Sequence, residues 1–201
     1  MIRLVLLLFA APCLFGQPLA NGLYAIFHTS MGDITARLYE KDASNTVANF
    51  VALAQGTEAT LDPKTHKMAK VRLYDNITFH RVLPGVMIQS GDPTGTGTHN
   101  CGFTIHDEVL PGLRFDASGK LAMANTGEPD SGSCQFFITA NPMPEWNGKY
   151  TIFGTVVEGK DVVSAIAHGR VHGDKPVEPV KLINVVIERV GPAPAKKKRK
   201  P

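Results

Sequence analysis

Eight short runs rich in β-branched and aromatic residues are strung between Leu23 and Val190, each cut from the next by Gly, Pro, Asn or Asp, and only two stretches among them carry helical spacing. The first two runs, LYAIFHTS and ITARLYE, flank a Met31-Gly32-Asp33 turn, and in the second Ile34, Ala36 and Leu38 alternate with Thr35, Arg37 and Tyr39. That period of two marks a hairpin with one buried face. ITFHRV, VMIQSG, KLAMAN, QFFITA and YTIFGTVV follow as further strands, and KLINVVIERV closes the series before Gly191. SNTVANFVALAQG places Val47, Phe50, Val51 and Ala54 on one helical face, with Ser44 or Asn45 as N-cap and Gly56 as stop. KDVVSAIAHG places Val162, Val163 and Ile166 together and ends at Gly169. Many short strands with two helices favour a closed antiparallel barrel, since closure removes exposed sheet edges. With 201 residues, 43% of them hydrophobic, the chain is long enough for one good core and hardly two.

The two ends differ from this body. Arg3 precedes the apolar run Leu4 to Phe15, and small or turn residues occupy Gly16 to Ala20. Residues 1–20 are thus expected to be a signal peptide, with the run Leu4 to Phe15 too short for a comfortable permanent span, and the mature protein is expected in the periplasm or outside the cell. Pro12 before Cys13 is a poor fit to a lipidation site. Residues 192–201 end in Lys196, Lys197, Lys198, Arg199 and Lys200, a charged tail expected to be disordered; its likeness to a nuclear localisation signal conflicts with the export signal. With Arg3 these hold 6 of the 21 basic residues, so 15 face 18 acidic ones in the body, and nucleic acid is not an expected partner. Cleavage would leave Cys101 and Cys134 in an oxidising compartment, either bridged or as two free thiols.

No metal spacing, phosphate loop or Ser-His-Asp order accompanies the polar residues, and the glycines of GTGTHNCG lack the βαβ setting of a dinucleotide fingerprint. What stands out is a cation in an apolar run, Arg81 within FHRVLPGVMIQSGDP, and an aromatic cluster downstream, QFFITA. Together with MANTGEPDSGS and NGKYTIFG, these segments resemble the cyclophilin family of peptidyl-prolyl cis-trans isomerases over roughly Tyr24 to Val190. The resemblance implies a mainly β, closed eight-stranded antiparallel barrel capped by two α-helices, within a domain spanning 21–191. It also implies rotation about X-Pro bonds without cofactor or metal. Arg81, Gln89, Phe137 and Asn125 match the family's catalytic positions; His80, Val86, Met87, Ala124, Gln135, Trp146 and Tyr150 match its substrate-binding ones.

Proline-containing polypeptides are the implied partners, met by a monomer with no stable membrane insertion after signal cleavage, and the implied role is to assist folding of exported proteins. The alternative is a proline-peptide binding module with little turnover. Two departures bear on selectivity: Val86 stands where many relatives have phenylalanine, and an ungapped count from Phe137 to Tyr150 puts Glu145 where the best-known relatives have tryptophan and Trp146 where they have leucine. Both are expected to weaken binding of cyclosporin, which uses that indole in the family.

Overall fold

The computed structural model describes residues 18–193, so the expected signal segment and the basic tail lie almost wholly outside the described residues. In chain order the elements are β1 (Gly22–Thr29), β2 (Gly32–Leu38), α1 (Ser44–Gln55), β3 (Ala59–Leu61), β4 (Met68–Lys70), β5 (Ile77–Thr78), β6 (Arg81–Leu83), β7 (Met87–Ser90), β8 (Lys120–Met123) and β9 (Phe136–Thr139). A 3-10 turn at Pro144–Trp146 leads to β10 (Ile152–Glu158), α2 (Lys160–Ala167), β11 (Val171–His172), β12 (Lys175–Pro176) and β13 (Lys181–Val190).

Nine strands form one curled antiparallel sheet in the order β5-β13-β1-β2-β10-β8-β9-β7-β6. The class is mainly β with two helices, as expected, but the closed eight-stranded barrel is corrected to a nine-stranded sheet whose two ends are not hydrogen-bonded strand to strand. Those ends, β5 and β6, are consecutive in the chain. The run ITFHRV, expected to be one strand, is cut by Phe79 and His80 into one short strand at each end of the sheet. Phe79 is fully buried and its N–H still donates to Val180 O at 3.0 Å, one last bond in the β5–β13 register before the chain leaves it. The curl therefore meets itself across a covalent join, and Arg81 is the first strand residue beyond it.

Period two sorts the side chains of β6 to β10 into two layers. Val82, Ile88, Ile138 and Leu121 point to the interior and join the main core, to which both helices contribute; Met87, Phe137, Ala122 and Ile152 point to the other face and form a second, smaller cluster with Phe115. Phe136 and Phe137, adjacent in sequence, belong to opposite layers. In the main core the Phe136 ring lies 5.5 Å from Phe50 and 5.4 Å from Phe27, while Phe50 also meets Phe153 at 5.2 Å. An aromatic hub of this kind adds about 0.5–1.5 kcal/mol per pair beyond area burial.

Helix α1 buries Val47, Phe50, Leu53 and Ala54 and ends at Gly56, whose φ of 70° is the left-handed C-cap expected there. Its start differs from expectation. Ala43 occupies the N-cap with no side-chain bond, and neither Ser44 nor Asn45 caps the helix. Glu108 does so from 62 residues away, accepting from Thr46 N and Thr46 Oγ1, each at 2.8 Å, and from Asn45 N at 3.1 Å. Helix α2 buries Val163, Ile166 and Ala167, with Val162 packed at the margin of the core. The ribbons β3–β4 and β11–β12 were not foreseen from the sequence pattern.

Candidate active site

One transverse row crosses the outer face of the sheet. Arg81 on β6 is the register partner of Gln89 on β7, Gln89 of Phe137 on β9, Phe137 of Ala122 on β8, and Ala122 of Ile152 on β10. Directly opposed residues share a face with Cβ atoms about 4.5–5.5 Å apart. The pleat thus lines up a cation, an amide and an aromatic ring side by side. Met87, the partner of Leu83 and Thr139, lies on the same face and is 2% exposed, while Phe137 is 4% exposed.

The polar end of the row is a relay of hydrogen bonds. Arg81 Nη1 donates to Gln89 Oε1 at 3.2 Å, and Gln89 Nε2 donates to Gln135 Oε1 at 2.9 Å. Gln135 Nε2 then donates to the carbonyls of His99 at 2.9 Å and Gly97 at 3.1 Å. On its other side Arg81 Nε donates to Asp174 Oδ2 at 2.7 Å. The arginine beside it holds the Asp174 carboxyl below its ordinary pKa. Neither Asp174 nor its hairpin was signalled by the sequence.

The loop receiving Gln135 is tied down twice. Fully buried Asp92 accepts from Thr94 N and Oγ1, both at 2.6 Å, and from Gly97 N at 2.7 Å. Burial works to raise its pKa, but these bonds outweigh it and hold the value low. Cys101 and Cys134 are bridged by a disulfide, with Cα atoms 6.2 Å apart and a sequence separation of 33. Of the two states left open by the sequence, the bridged one is present. It fastens the far end of this loop to the residue before Gln135.

The apolar end is a box of rings. Phe137 meets Tyr150 at 5.1 Å and Trp146 at 5.4 Å, both edge to face, and Phe115 stacks near-parallel at 6.0 Å. Val86 and Ala124 pack at the margin of this cluster. Trp146 is half-buried in it, whereas Glu145 is exposed. Phe115 is a lining residue that sequence reasoning missed; it sits in LRFDASG, a run with no period, and is held by a bond from its N–H to Asn147 Oδ1 at 2.6 Å. Asn125 spends its side chain locally, Nδ2 donating to Lys149 O at 3.0 Å and Oδ1 accepting from Gly127 N at 3.2 Å. Its own N–H and C=O have no partner among the described residues.

His80 lies beside Arg81 but is 7% exposed, and neither ring nitrogen has a hydrogen-bond partner among the described residues. Burial lowers its pKa, so the ring is neutral near pH 7. The structure thus gathers the candidates on one face of the sheet and its margin: Arg81, Gln89 and Gln135 in the relay, Met87, Phe137, Val86, Ala124, Trp146 and Tyr150 in the outer cluster, with Asn125 following Ala124 and His80 buried next to Arg81. No three His, Cys, Asp or Glu side chains converge as a metal site among the described residues, and no described helix is long and apolar enough to cross a membrane.

A family model for cyclophilin type peptidyl-prolyl cis-trans isomerase/CLD matches residues 24–187. Peptidyl-prolyl cis-trans isomerase B of Streptomyces anulatus is 45% identical over 174 residues, covering 85% of this chain and 99% of that protein. Peptidyl-prolyl cis-trans isomerase A of Mycobacterium tuberculosis is 44% identical, covering 85% and 94%. Among solved structures, a Cryptosporidium parvum cyclophilin type peptidyl-prolyl cis-trans isomerase superposes with a TM-score of 0.73 at 29% identity, covering 84% of this chain and 98% of that one. A second crystal structure of it, in the presence of the dipeptide Ala-Pro, gives 0.72 at the same identity.

Proposed function

The chain belongs to the cyclophilin-type peptidyl-prolyl cis-trans isomerase family, and from that premise we propose that Arg81 is the donor through which it lowers the barrier to rotation about X-Pro bonds. The protein is a peptidyl-prolyl cis-trans isomerase. Twisting an X-Pro amide destroys its resonance and faces a barrier of ~18–20 kcal/mol, with no covalent bond made or broken. At the twisted geometry the prolyl nitrogen turns pyramidal and gains a lone pair able to accept a hydrogen bond. A donor waiting there binds the transition state better than either ground state, which is what accelerates the step. A guanidinium stays charged and offers its N–H groups in a fixed fork. Lowering the barrier by ~5–7 kcal/mol would give about 10⁴–10⁵ in rate.

The observation that carries this assignment is the shared row of Arg81, Gln89 and Phe137 on one sheet face. On this reading the donor works beside the apolar cluster of Phe137, Met87, Trp146 and Tyr150, with Val86 at the side, which receives the proline ring. Gln89 and the free backbone groups of Asn125 hold the peptide flanking the ring, while Ala124 and Gln135 line the approach. His80, being buried, supports the rim rather than exchanging protons. The chemistry asks for no cofactor or metal. The alternative of a binding module with little turnover is disfavoured by the intact donor, amide and ring.

The decisive experiment is Arg81→Ala in a protease-coupled proline-peptide assay on the mature chain. We expect roughly a 10²–10³-fold loss of turnover, the size seen when a preorganised transition-state donor is removed, with unchanged melting. Near-normal turnover by the folded variant overturns the assignment. Cyclosporin should inhibit weakly, since exposed Glu145 and the small Val86 stand where typical relatives have rings; nanomolar inhibition would place Trp146 in the indole site instead.

The role extends to exported, proline-containing polypeptides, with the chain acting as a monomer beyond the membrane after removal of residues 1–20. Support comes from Arg3 and the apolar run after it, and from a disulfide of the kind that persists in oxidising compartments. An acidic body gives no electrostatic reason to bind nucleic acid. Intact-mass measurement of protein recovered from the extracytoplasmic fraction checks this, the expected cut falling between Gly16 and Ala20. An uncut chain retained inside the cell refutes it.

A further inference from the structure

Strand β6 ends the sheet, so the side of it away from β7 has no strand partner. The β11–β12 hairpin lies there instead. Its two-residue turn is Gly173, at φ 68°, and Asp174. Asp174 grips β6 at two adjacent residues: its main-chain carbonyl accepts from Val82 N–H at 2.8 Å, and its carboxylate accepts from Arg81 Nε–H at 2.7 Å. With Gln89 Oε1 on Nη1, the guanidinium is held at two of its three nitrogens. A planar group pinned at two points cannot turn about its own axis, and three of its five N–H bonds remain unclaimed by described residues.

The ion pair does little for stability. Arg81 and Asp174 side chains are 43% and 52% exposed, and pairs so open to water contribute little after screening and lost side-chain entropy. The hairpin's hold on β6 runs through the main-chain bond to Val82, which any residue at 174 can supply. What the carboxylate adds is direction.

We propose that Asp174 is a positioning residue for the isomerase reaction, its carboxylate fixing the plane and aim of the Arg81 guanidinium so that the unclaimed N–H groups meet the twisting prolyl amide. This rests on Arg81 being the donor. The test is steady-state kinetics with separate kcat and KM on the mature protein, for Asp174→Ala, Asp174→Asn, Arg81→Ala and the double variant Arg81→Ala/Asp174→Ala, with melting followed throughout. Misplacing a catalytic group by about 1 Å can cost about 10²-fold, so Asp174→Ala should lower kcat about 10- to 100-fold with KM within about twofold and melting unchanged. Asp174→Asn keeps an acceptor oxygen and should recover part of that loss. In the Arg81→Ala background the Asp174 change should do nothing further. Unchanged kcat in Asp174→Ala, alongside a crippled Arg81→Ala, overturns the positioning role while leaving Arg81 as donor. An equal loss from Asp174→Ala in both backgrounds also overturns it. Full activity of Arg81→Ala removes the premise instead, and is told apart by that single variant.

Discussion

Gln89 and Gln135 lie on different segments, yet the 2.9 Å bond from Gln89 Nε2 to Gln135 Oε1 makes them one relay between Arg81 and the loop carbonyls of Gly97 and His99. The relay fixes which way each amide faces: Gln89 presents oxygen to the cation because its nitrogen is already committed. Gln89→Leu removes both contacts while keeping the side chain's bulk. Hydrogen bonds to charged groups are worth ~1.5–3 kcal/mol, so kcat should fall about 10- to 100-fold. Gln89 is only half-buried, so melting should move little. Kinetics equal to the unaltered enzyme would show that Arg81 needs no support on this side.

Phe137 is a member of the outer apolar cluster, packed against Phe115, Trp146 and Tyr150, and in the proposed site it also receives the proline ring. Phe137→Ala should therefore raise KM and lower stability together, the latter by about 3–5 kcal/mol as for other buried aromatic truncations. Thermal melting with peptide kinetics separates the two effects. A variant unchanged in both would place Phe137 outside the site.

What the sequence revealed and what it concealed divide along a physical line. Arg81, Gln89, Met87 and Phe137 were singled out by the family motif alone, and their common sheet face follows from their phase in short paired strands. The closure of the sheet was not legible: ITFHRV reads as one strand, and nothing in its pattern marks the break at Phe79 and His80. Asp174 was hidden for a different reason. An Asp after Gly in a surface turn has turn chemistry as sufficient explanation, and its partner lies 93 residues earlier. Phe115, in an aperiodic loop, offered no period to read. Contacts between segments distant in the chain leave no mark on local composition.

The cap on α1 is one such contact and can be tested directly. The helix has no side-chain cap of its own, so Glu108 alone satisfies the N–H groups of Asn45 and Thr46 among the described residues. Its charge also faces the positive end of the helix dipole. Glu108→Ala should cost about 1–2 kcal/mol, the range for a lost N-cap, and Glu108→Gln less, since an acceptor oxygen remains. Chemical denaturation measures both. Equal stability of all three proteins would mean that water replaces the carboxylate without loss.

The disulfide offers the last test, because it acts on the site through the loop rather than by contact with substrate. Joining Cys101 to Cys134 closes a loop with sequence separation 33. In the chain-entropy treatment this removes freedom from the unfolded state worth ~3–4 kcal/mol. For a chain of this length that corresponds to a Tm lower by roughly 6–16 °C on reduction. The double variant Cys101→Ser/Cys134→Ser should melt low with or without reductant, which separates loss of the bridge from other effects of the reagent. Turnover below the melting range should fall more modestly, as Asp92 still holds Gly97 while Gln135 loses part of its anchored seat. Differential scanning calorimetry with parallel thiol labelling decides the matter. Two labelled thiols with an unshifted Tm would show that the loop is already confined without the bridge, and that Asp92 alone keeps the relay to Arg81 in place.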